Sequence, residues 1–327
     1  FLQWIADGVK LIFKEDLIPD GSDRILFKIA PYFCLIGVFC TLVVMPWGTG
    51  VIVADLNVGL FYFISITALV VIGVLMAGWS SNNKWSLLGG MRAAAQIVSY
   101  EIPVGMGLLI PILITGSLSM QEIVGIQGWL PWDWMLFASP FTVVSFIIFF
   151  IGSLAEANRI PFDLPEAESE LVSGYCTEYS GFRYAVFFLT EWANLFVLGG
   201  LTTAIYLGGG NLPGFAGGSP ILSVVVFSAK TSVVVFVVMW IRWTLPRFRI
   251  DQLMKLSWKY LLPSALVAFF GQAIYMLITY KYESIQSGVS IVVFALFIIV
   301  MVQFFRRVIV NMKEQKLPLT LQNASTN

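Results

Sequence analysis

The chain alternates eight long apolar runs with short polar segments. The membrane's hydrocarbon core is roughly 30 Å thick and a helix rises about 1.5 Å per residue, so all the runs can span it, although the third is only marginally long enough. The runs cover residues 26–46, 60–79, 101–116, 134–155, 184–207, 221–243, 260–280 and 288–310. This pattern predicts an all-α, polytopic integral membrane protein of about eight transmembrane helices. We expect a single membrane domain over 1–327, with its bundle at 26–310.

The first sixteen residues have a different pattern. Gln3, Asp7, Lys10 and Lys14 recur at helical spacing on one narrow face, and bulky apolar residues surround the rest. This predicts an amphipathic helix over 1–16 that lies in the plane of the membrane, because it is too short and too charged to cross. Two interpretations stay open: a simple surface anchor, or the lining of an entrance for a lipid-soluble substrate.

Composition and charge agree with a membrane protein and orient it. Hydrophobic residues make up 58% of the chain and charged residues 12%, with a mean hydropathy of +0.85. With eight spans, 17 of the 19 Lys and Arg residues fall on one side, here called the basic side, which carries loops 80–100, 156–183 and 242–259 and the tail 311–327. The positive-inside rule makes this side cytoplasmic. We expect the bacterial cytoplasmic (inner) membrane rather than the mitochondrial inner membrane.

Several chemistries are excluded by residue type. The chain has three cysteines without a CxxC spacing and no histidine, so ordinary haem, Rieske and zinc sites are not expected, and we predict no metal site. No P-loop or dinucleotide fingerprint occurs, and the scattered basic residues do not predict nucleic-acid binding. Electron carriers would therefore lie in partner subunits.

One loop on the basic side is rich in acid. Six carboxylates lie between Glu156 and Gly181, and the flanking segments are apolar spans. A carboxylate near a bilayer loses favourable hydration unless it finds a partner, water or a proton, so such residues are candidates for function. The six are Glu156, Asp163, Glu166, Glu168, Glu170 and Glu178.

Three further ionisable residues lie within the spans: Glu101, Glu191 and Lys230. Burial raises the pKa of an acid and a nearby cation lowers it, so mixed environments could let several of the acids exchange protons near neutral pH. We predict a proton relay of Glu101, Glu156, Glu166, Glu168, Glu170, Glu178 and Glu191, with Lys230 paired to Glu191 or to another buried acid. The alternative is that ion pairs with Arg92, Arg159, Arg183 or Lys230 only fasten helices. The basic loop at 242–259 could counter the acids, or Arg247 and Arg249 could only enforce topology.

Several motifs together resemble one family. They are residues 1–16, ADLNVG at 54–59, AGWSSNNK at 77–84, LLGGMRA through SYE at 87–101, EANRIPFDLPEAE at 156–168, EYSG at 178–181, LPR at 245–247 and DQL at 251–253. The chain is similar over about 1–280 to the quinone-site membrane component, known as the H subunit, of respiratory complex I, the NADH-quinone oxidoreductase. Trp4 stands where that family usually has proline, the span at 288–310 occurs in only some members, and the family's preceding helix is expected upstream.

The resemblance implies a function and a site. The amphipathic helix and the basic-side loops would wall a quinone chamber against a peripheral subunit, and the acids would form the family's acidic channel. The residues implied for the chamber are Gln3, Asp7, Arg159, Phe162, Asp163 and Arg183. The substrate would be ubiquinone or menaquinone. This chain would bind no cofactor, FMN and iron-sulfur clusters would lie in partner subunits, and the complex would be an NADH:quinone oxidoreductase that translocates protons across the bilayer.

Two alternatives have different consequences. The chain could be the equivalent subunit of a membrane-bound hydrogenase or another donor-linked relative, which a lack of quinone dependence would favour. It could also be a free-standing ion transporter. A transporter needs a midplane site built from broken helices, whereas the acids of this chain cluster near one surface.

Overall fold

A computed structural model describes residues 3–165, 171–213, 219–281, 302, 303 and 306. The chain divides into two compact units, Phe1–Ala273 and Ile274–Asn327. The described residues form helices and no β-strand beyond one isolated bridge between Gly48 and Val51. The α-helices are α1 Gln3–Phe13, α2 Arg24–Thr41, α3 Gly59–Ser80, α4 Lys84–Thr115, α5 Met120–Gly125, α6 Pro140–Glu156, α7 Gly181–Tyr206, α8 Pro220–Thr244, α9 Ile250–Lys255 and α10 Leu262–Lys281.

The predicted class is confirmed. Within the described residues, six helical segments are long and apolar enough to cross a membrane: α2, α3, α4, α7, α8 and the continuous stretch Ile250–Thr279. Helix α6 is a seventh, shorter apolar helix. The eighth predicted span, 288–310, and the tail 311–327 lie outside the described residues, apart from three positions in the span. The chain is thus an all-α, polytopic membrane protein.

The N-terminal segment is helical as predicted, over Gln3–Phe13. Helix α1 packs against α7. Several of its apolar side chains remain uncovered, including Ile12 and Phe13, which is 84% exposed. An apolar surface of this kind suits a helix that lies in a membrane interface, and that placement stays a prediction.

The predicted loop at 80–100 is wrong. Helix α4 begins at Lys84, after Asn83 caps it by accepting a hydrogen bond from the Trp85 N–H at 2.9 Å, and it runs for 32 residues to Thr115. Polar residues and a Gly-Gly pair in this stretch indicated a loop. The glycines instead let other segments approach, since a Cβ on Gly90 would lie 3.3 Å from the Cα of Gly78 in α3.

The predicted loop at 242–259 is also mostly helical. Only 245–249 separate α8 from α9, which continues through a π-helical turn, Leu256–Leu261, into α10. Asp251, Lys255 and Lys259 are all exposed and spaced four residues apart. Charge at that spacing lies on one solvated face of a helix, so it does not indicate a loop.

The fourth span begins later than predicted, at Pro140, because Ser139 caps it in a capping box with Thr142.

The packing around α4 and α7 positions the acids. Helix α4 packs against α3 and α6, whereas α7 packs against α2 and α8. Gly89 of α4 faces the acidic loop, where an added Cβ would lie 2.7 Å from the Tyr175 backbone nitrogen and 2.8 Å from the Cα of Gly174. The loop therefore rests directly on the α4 backbone.

We expect Gly89→Ala to destabilise the protein by about 1–3 kcal/mol, because the new methyl group meets backbone that cannot rotate away. Gly105→Ala is the matched control in the same helix, since nothing lies within 4 Å of its added Cβ. Thermal unfolding in mild detergent measures both. Equal melting temperatures for the two variants would contradict the close packing at Gly89.

Candidate functional site: a chain of partly buried carboxylates

Two small cavities join three of the predicted relay acids. The first, about 10 Å³ in volume, lies among α3, α4 and α6 and is lined by Glu101, Glu156 and Thr67, among others. The second, about 20 Å³, is lined by Glu156, Glu191 and Asn194, among others. Each has room for about one water molecule. Glu156 lines both cavities, so the three carboxylates form a series with a gap of about water size between neighbours.

Glu191 ends this series and has two partners. The Tyr175 hydroxyl donates a hydrogen bond to its Oε1 at 3.0 Å, and Nη2 of Arg159 lies 3.9 Å from its Oε2. Arg159 is only 7% exposed and lies over the Trp192 ring, 5.0 Å from the ring centroid. Its Nε makes no hydrogen bond to any described residue. The structure thus brings together Glu101, Glu156, Glu191 and Arg159.

Gln96 holds the start of the acidic loop. From inside α4 its Nε2 donates to the backbone carbonyls of Ala155 at 2.7 Å and Phe162 at 2.8 Å, and to Asn158 Oδ1 at 3.2 Å. These bonds fix the turn that follows Glu156. Gln96, Tyr175, Thr67 and Asn194 were not among the predicted site residues. An amide inside an apolar helix was the one signal available for Gln96, because burial requires its polar atoms to find partners.

Asp163 lies in the loop and forms an ion pair with the basic loop. Nη2 of Arg247 donates to its Oδ2 at 3.3 Å, and the Phe248 N–H donates to the Pro161 carbonyl at 3.0 Å. The expected countering of the acidic loop by the basic loop at 242–259 is confirmed for this pair. Burial raises the pKa of Asp163 above its ordinary value, although the nearby Arg247 acts in the opposite direction.

Phe162 of the same loop is buried in the core. Its ring is 2% exposed and packs edge to face on Tyr100, with the ring centroids 5.4 Å apart. It also packs on Phe248 at 5.6 Å. In the described residues it therefore acts as a packing residue that joins α4 to the two loops, and its predicted part in a quinone chamber stays a prediction.

Other predicted residues are placed away from the three acids. Glu178 accepts a hydrogen bond from Asn83 at 2.6 Å at the rim of an open hollow of about 500 Å³. Nη1 of Arg183 lies 3.2 Å from Oδ1 of Asp16. Asp7 pairs with Lys10 at 3.2 Å on the exposed face of α1, which also carries Gln3. Glu166, Glu168 and Glu170 lie outside the described residues.

The start of α7 is fixed against the segment after α1. The Ser180 hydroxyl donates to the Glu15 carbonyl at 3.1 Å and accepts from the Leu17 N–H at 3.2 Å. Gly181 has φ +56°, and a Cβ there would lie 2.8 Å from the Lys14 carbonyl oxygen. Only glycine suits both the backbone conformation and the space. The amphipathic helix is thereby tied to the helix that carries Glu191.

The predicted pairing of Lys230 with an acid is not found among the described residues. Its ammonium donates to the backbone carbonyls of Leu207 at 2.7 Å and Gly209 at 3.0 Å, and it lies 4.8 Å from the centroid of the Trp134 ring. The long side chain points back along α8, as helical side chains do, and reaches the end of α7. Free carbonyls at a helix end attract a cation as an acid would.

The fold and site define a class: an integral membrane subunit in which partly buried carboxylates form a series that begins near one membrane surface. The chain belongs to the NADH dehydrogenase family, whose sequence model matches residues 1–273, and this confirms the resemblance drawn from its motifs.

Relatives from three bacteria, each named as the H subunit of an NADH-quinone oxidoreductase, are similar over most of the chain. The relative from Anaeromyxobacter dehalogenans is 52% identical over 296 residues, which covers 85% of this chain and 72% of the relative. Those from Chlorobaculum tepidum and Bacillus cytotoxicus are 47% and 51% identical over 289 and 273 residues, and each comparison covers 84% of this chain and 80% of the relative.

We expect Arg247→Met to lower stability more at pH 7.5 than at pH 5. The raised pKa of Asp163 means that folding favours its protonated form, so its contribution to stability falls as pH rises through the folded pKa. Without Arg247 that pKa rises further, and the loss at pH 7.5 should be about 1–3 kcal/mol, between the values for exposed and buried pairs.

Thermal unfolding at the two pH values measures this effect. The double variant Arg247→Met/Asp163→Asn is the control, because it has no carboxylate to titrate and should lose the added pH dependence. The same pH dependence in the double variant would rule out Asp163 as the group that titrates.

Proposed function

We propose that this chain is the membrane subunit that binds quinone and couples its reduction to proton transfer in an NADH:quinone oxidoreductase. Its family and the names of its relatives support the reaction class. The observation that carries the coupling role is that Glu156 lines both water-sized cavities, with Glu101 beyond one and Glu191 beyond the other.

The arrangement suits a proton relay better than a set of fasteners. A relay requires carboxylates separated by no more than a hydrogen-bonded water or a hydroxyl. Thr67 lines the first cavity and Tyr175 lines the second, so each gap has a hydroxyl as well as space. Fastening requires each acid to contact a cation, yet Glu101 and Glu156 form no ion pair among the described residues.

Coupling would act through charge. Quinone reduced beside the basic-side loops takes up electrons and protons, which changes the charge near Asp163, Arg159 and Glu191. Charges separated by low dielectric interact strongly, so that change would shift proton occupancy at Glu191 and, through the second cavity, at Glu156. Arg159 would transmit the change to Glu191, because it is buried and its Nη2 lies 3.9 Å from Glu191 Oε2.

Partner subunits would supply the rest of the reaction. Flavin and iron-sulfur centres would pass electrons from NADH to the quinone, and Gln3, Asp7, Arg159, Phe162, Asp163 and Arg183 would wall the chamber in which it is reduced. Glu166, Glu168, Glu170 and Glu178 would extend the relay to the loop surface. The complex would lie in the bacterial cytoplasmic membrane, embedded in lipid, and it would not bind nucleic acid.

We expect Glu156→Gln to lower proton pumping at least about tenfold, because an amide cannot pass a proton between the two cavities. The complex should still assemble, since glutamine has the size of glutamate. The measurement is NADH-driven acidification, together with inhibitor-sensitive NADH:quinone activity, in liposomes that contain the purified complex.

Glu122→Gln is the matched control, because Glu122 is exposed in the short helix α5 and lines neither cavity. It should behave as the wild type. Full pumping by Glu156→Gln would remove Glu156 from the proton path. Activity with hydrogen in place of NADH, or without quinone, would assign the chain to a hydrogenase-like relative.

A further inference from the structure

Prolines inside two of the helices deprive backbone carbonyls of their usual helical donors. A proline has no N–H, so the carbonyl four residues before it must find another donor. The prolines inside α2 and α4, each with the residue whose carbonyl it leaves free, are Pro31 with Phe27, Pro103 with Ser99, and Pro111 with Gly107. A hydroxyl group from another segment donates to each of these carbonyls: Tyr179 to Phe27 at 3.2 Å, Ser257 to Ser99, and Ser145 to Gly107 at 2.7 Å.

One of these three bonds lies at an acid of the carboxylate series. Glu101 is in the middle of the helical turn 99–103, in which the usual backbone bond from residue 103 to Ser99 is missing because residue 103 is proline. Glu101 also lines the first cavity together with Glu156. The path of this turn, and with it the position of Glu101 at the cavity, depends on what holds the Ser99 carbonyl in place of the missing bond.

Ser257 supplies the replacement from a different part of the chain. It lies in the π-helical turn Leu256–Leu261 and is fully buried. The next residue of α4 is tied to the same segment, because the Tyr100 hydroxyl donates to the Leu253 carbonyl at 3.1 Å. Of these two bonds, only the one from Ser257 to Ser99 replaces a backbone bond that α4 lacks.

We propose that Ser257 is a positioning residue that holds Glu101 at the first cavity by replacing the bond that Pro103 removes from α4. Ser257 lines neither of the two cavities, so it acts through the α4 backbone and does not carry a proton. Without its hydroxyl the buried Ser99 carbonyl loses this donor, and the turn shifts to find another. The inference rests on the proposed function, because it concerns an acid of the proposed relay.

Ser145 offers a matched control. Its hydroxyl makes the equivalent bond to Gly107, about two turns further along α4, and it is as fully buried as Ser257. Ser145 is also hydrogen-bonded to Tyr206 at 2.6 Å, so Ser145→Ala should destabilise the protein at least as much as Ser257→Ala. If the two serines only stabilise the helix, the two variants should have similar effects. A positioning role instead predicts that only Ser257→Ala affects the turn that carries Glu101.

Amide hydrogen exchange in the purified complex tests this position without NADH or quinone. In Ser257→Ala the peptide that contains Glu101 should exchange about tenfold faster than in the wild type, because a turn held by one bond fewer opens more often. Ser145→Ala should leave the exchange of that peptide unchanged. If Ser257→Ala does not assemble, Ser257→Cys keeps nearly the same size with a much weaker donor, and it should show the same change.

Pro103→Ala tests the reason for the bond. Alanine restores an N–H that can donate to the Ser99 carbonyl, so Ser257 should become dispensable. The double variant Pro103→Ala/Ser257→Ala should therefore exchange at the rate of Pro103→Ala alone, and the four rates together form a double-mutant cycle. If removal of the Ser257 hydroxyl speeds exchange equally with and without Pro103, Ser257 does not replace the missing backbone bond and the proposal is overturned.

Proton pumping in liposomes tests whether the position of Glu101 matters to the relay. Ser257→Ala should lower NADH-driven pumping per assembled complex at least about threefold, since a displaced group transfers protons more slowly. Ser145→Ala should pump as the wild type does. Pro103→Ala/Ser257→Ala should pump at the rate of Pro103→Ala, because the turn again has its donor.

The remaining outcomes overturn the proposal at separate steps. Unchanged exchange around Glu101 in Ser257→Ala, or an equal rise in Ser145→Ala, would show that Ser257 does not position this turn. Faster exchange with wild-type pumping would show that the position has no effect on proton transfer. The exchange measurement does not depend on the relay, so its failure is distinguishable from failure of the proposed function, which full pumping by Glu156→Gln would reveal.

Discussion

The cost of placing charge where water is scarce governs this structure more than any other interaction. An isolated charge in a low-dielectric interior costs several kcal/mol, so each one must find an opposite charge, a dipole or a pocket of water. The chain uses all three solutions. Arg247 neutralises Asp163 at the loop surface, backbone carbonyls hold Lys230 at the end of α7, and Glu156 lies between two cavities of water size. The first two solutions fix a charge in place, whereas the third leaves space for water beside the Glu156 carboxylate.

The polar side chains around the acids meet the same requirement for buried polar groups, because they donate hydrogen bonds that hold the nearby backbone in place. The chain leaves α6 immediately after Glu156, and a turn in that position exposes carbonyls that no helix satisfies. Gln96 supplies donors to two of these carbonyls from the neighbouring helix, and Asn194 donates to the Glu156 carbonyl at 3.3 Å. The position of the Glu156 side chain therefore depends on two amides in α4 and α7. A side chain at the end of a helix needs such supports, because the last carbonyls of the helix have no partner within it.

Sequence patterns predicted the elements better than their contacts. The apolar runs located the described spans, since membrane thickness fixes their length. The loops at 80–100 and 242–259 were mispredicted because polar residues were taken to end a helix. In the second of these segments, Asp251, Lys255 and Lys259 instead lie on the exposed face of a helix that continues. The clustering of acids could be predicted because charge near a bilayer is rare. The partner of Lys230 could not be, because a backbone carbonyl leaves no trace in a sequence, and opposite charge was the only visible candidate.

The spacing of Glu191 and Arg159 bears on whether the acids relay protons or only join helices. A fastening pair gains most from short, bidentate contacts, which also hold the carboxylate ionised. The contact between these two residues is 3.9 Å, and the shorter bond to Glu191 comes from the neutral Tyr175 hydroxyl at 3.0 Å. The Arg159 cation therefore lies close to Glu191, but it makes no short, bidentate contact with the carboxylate. This loose pair joins the acidic loop, through Arg159, to the Glu191 end of the carboxylate series.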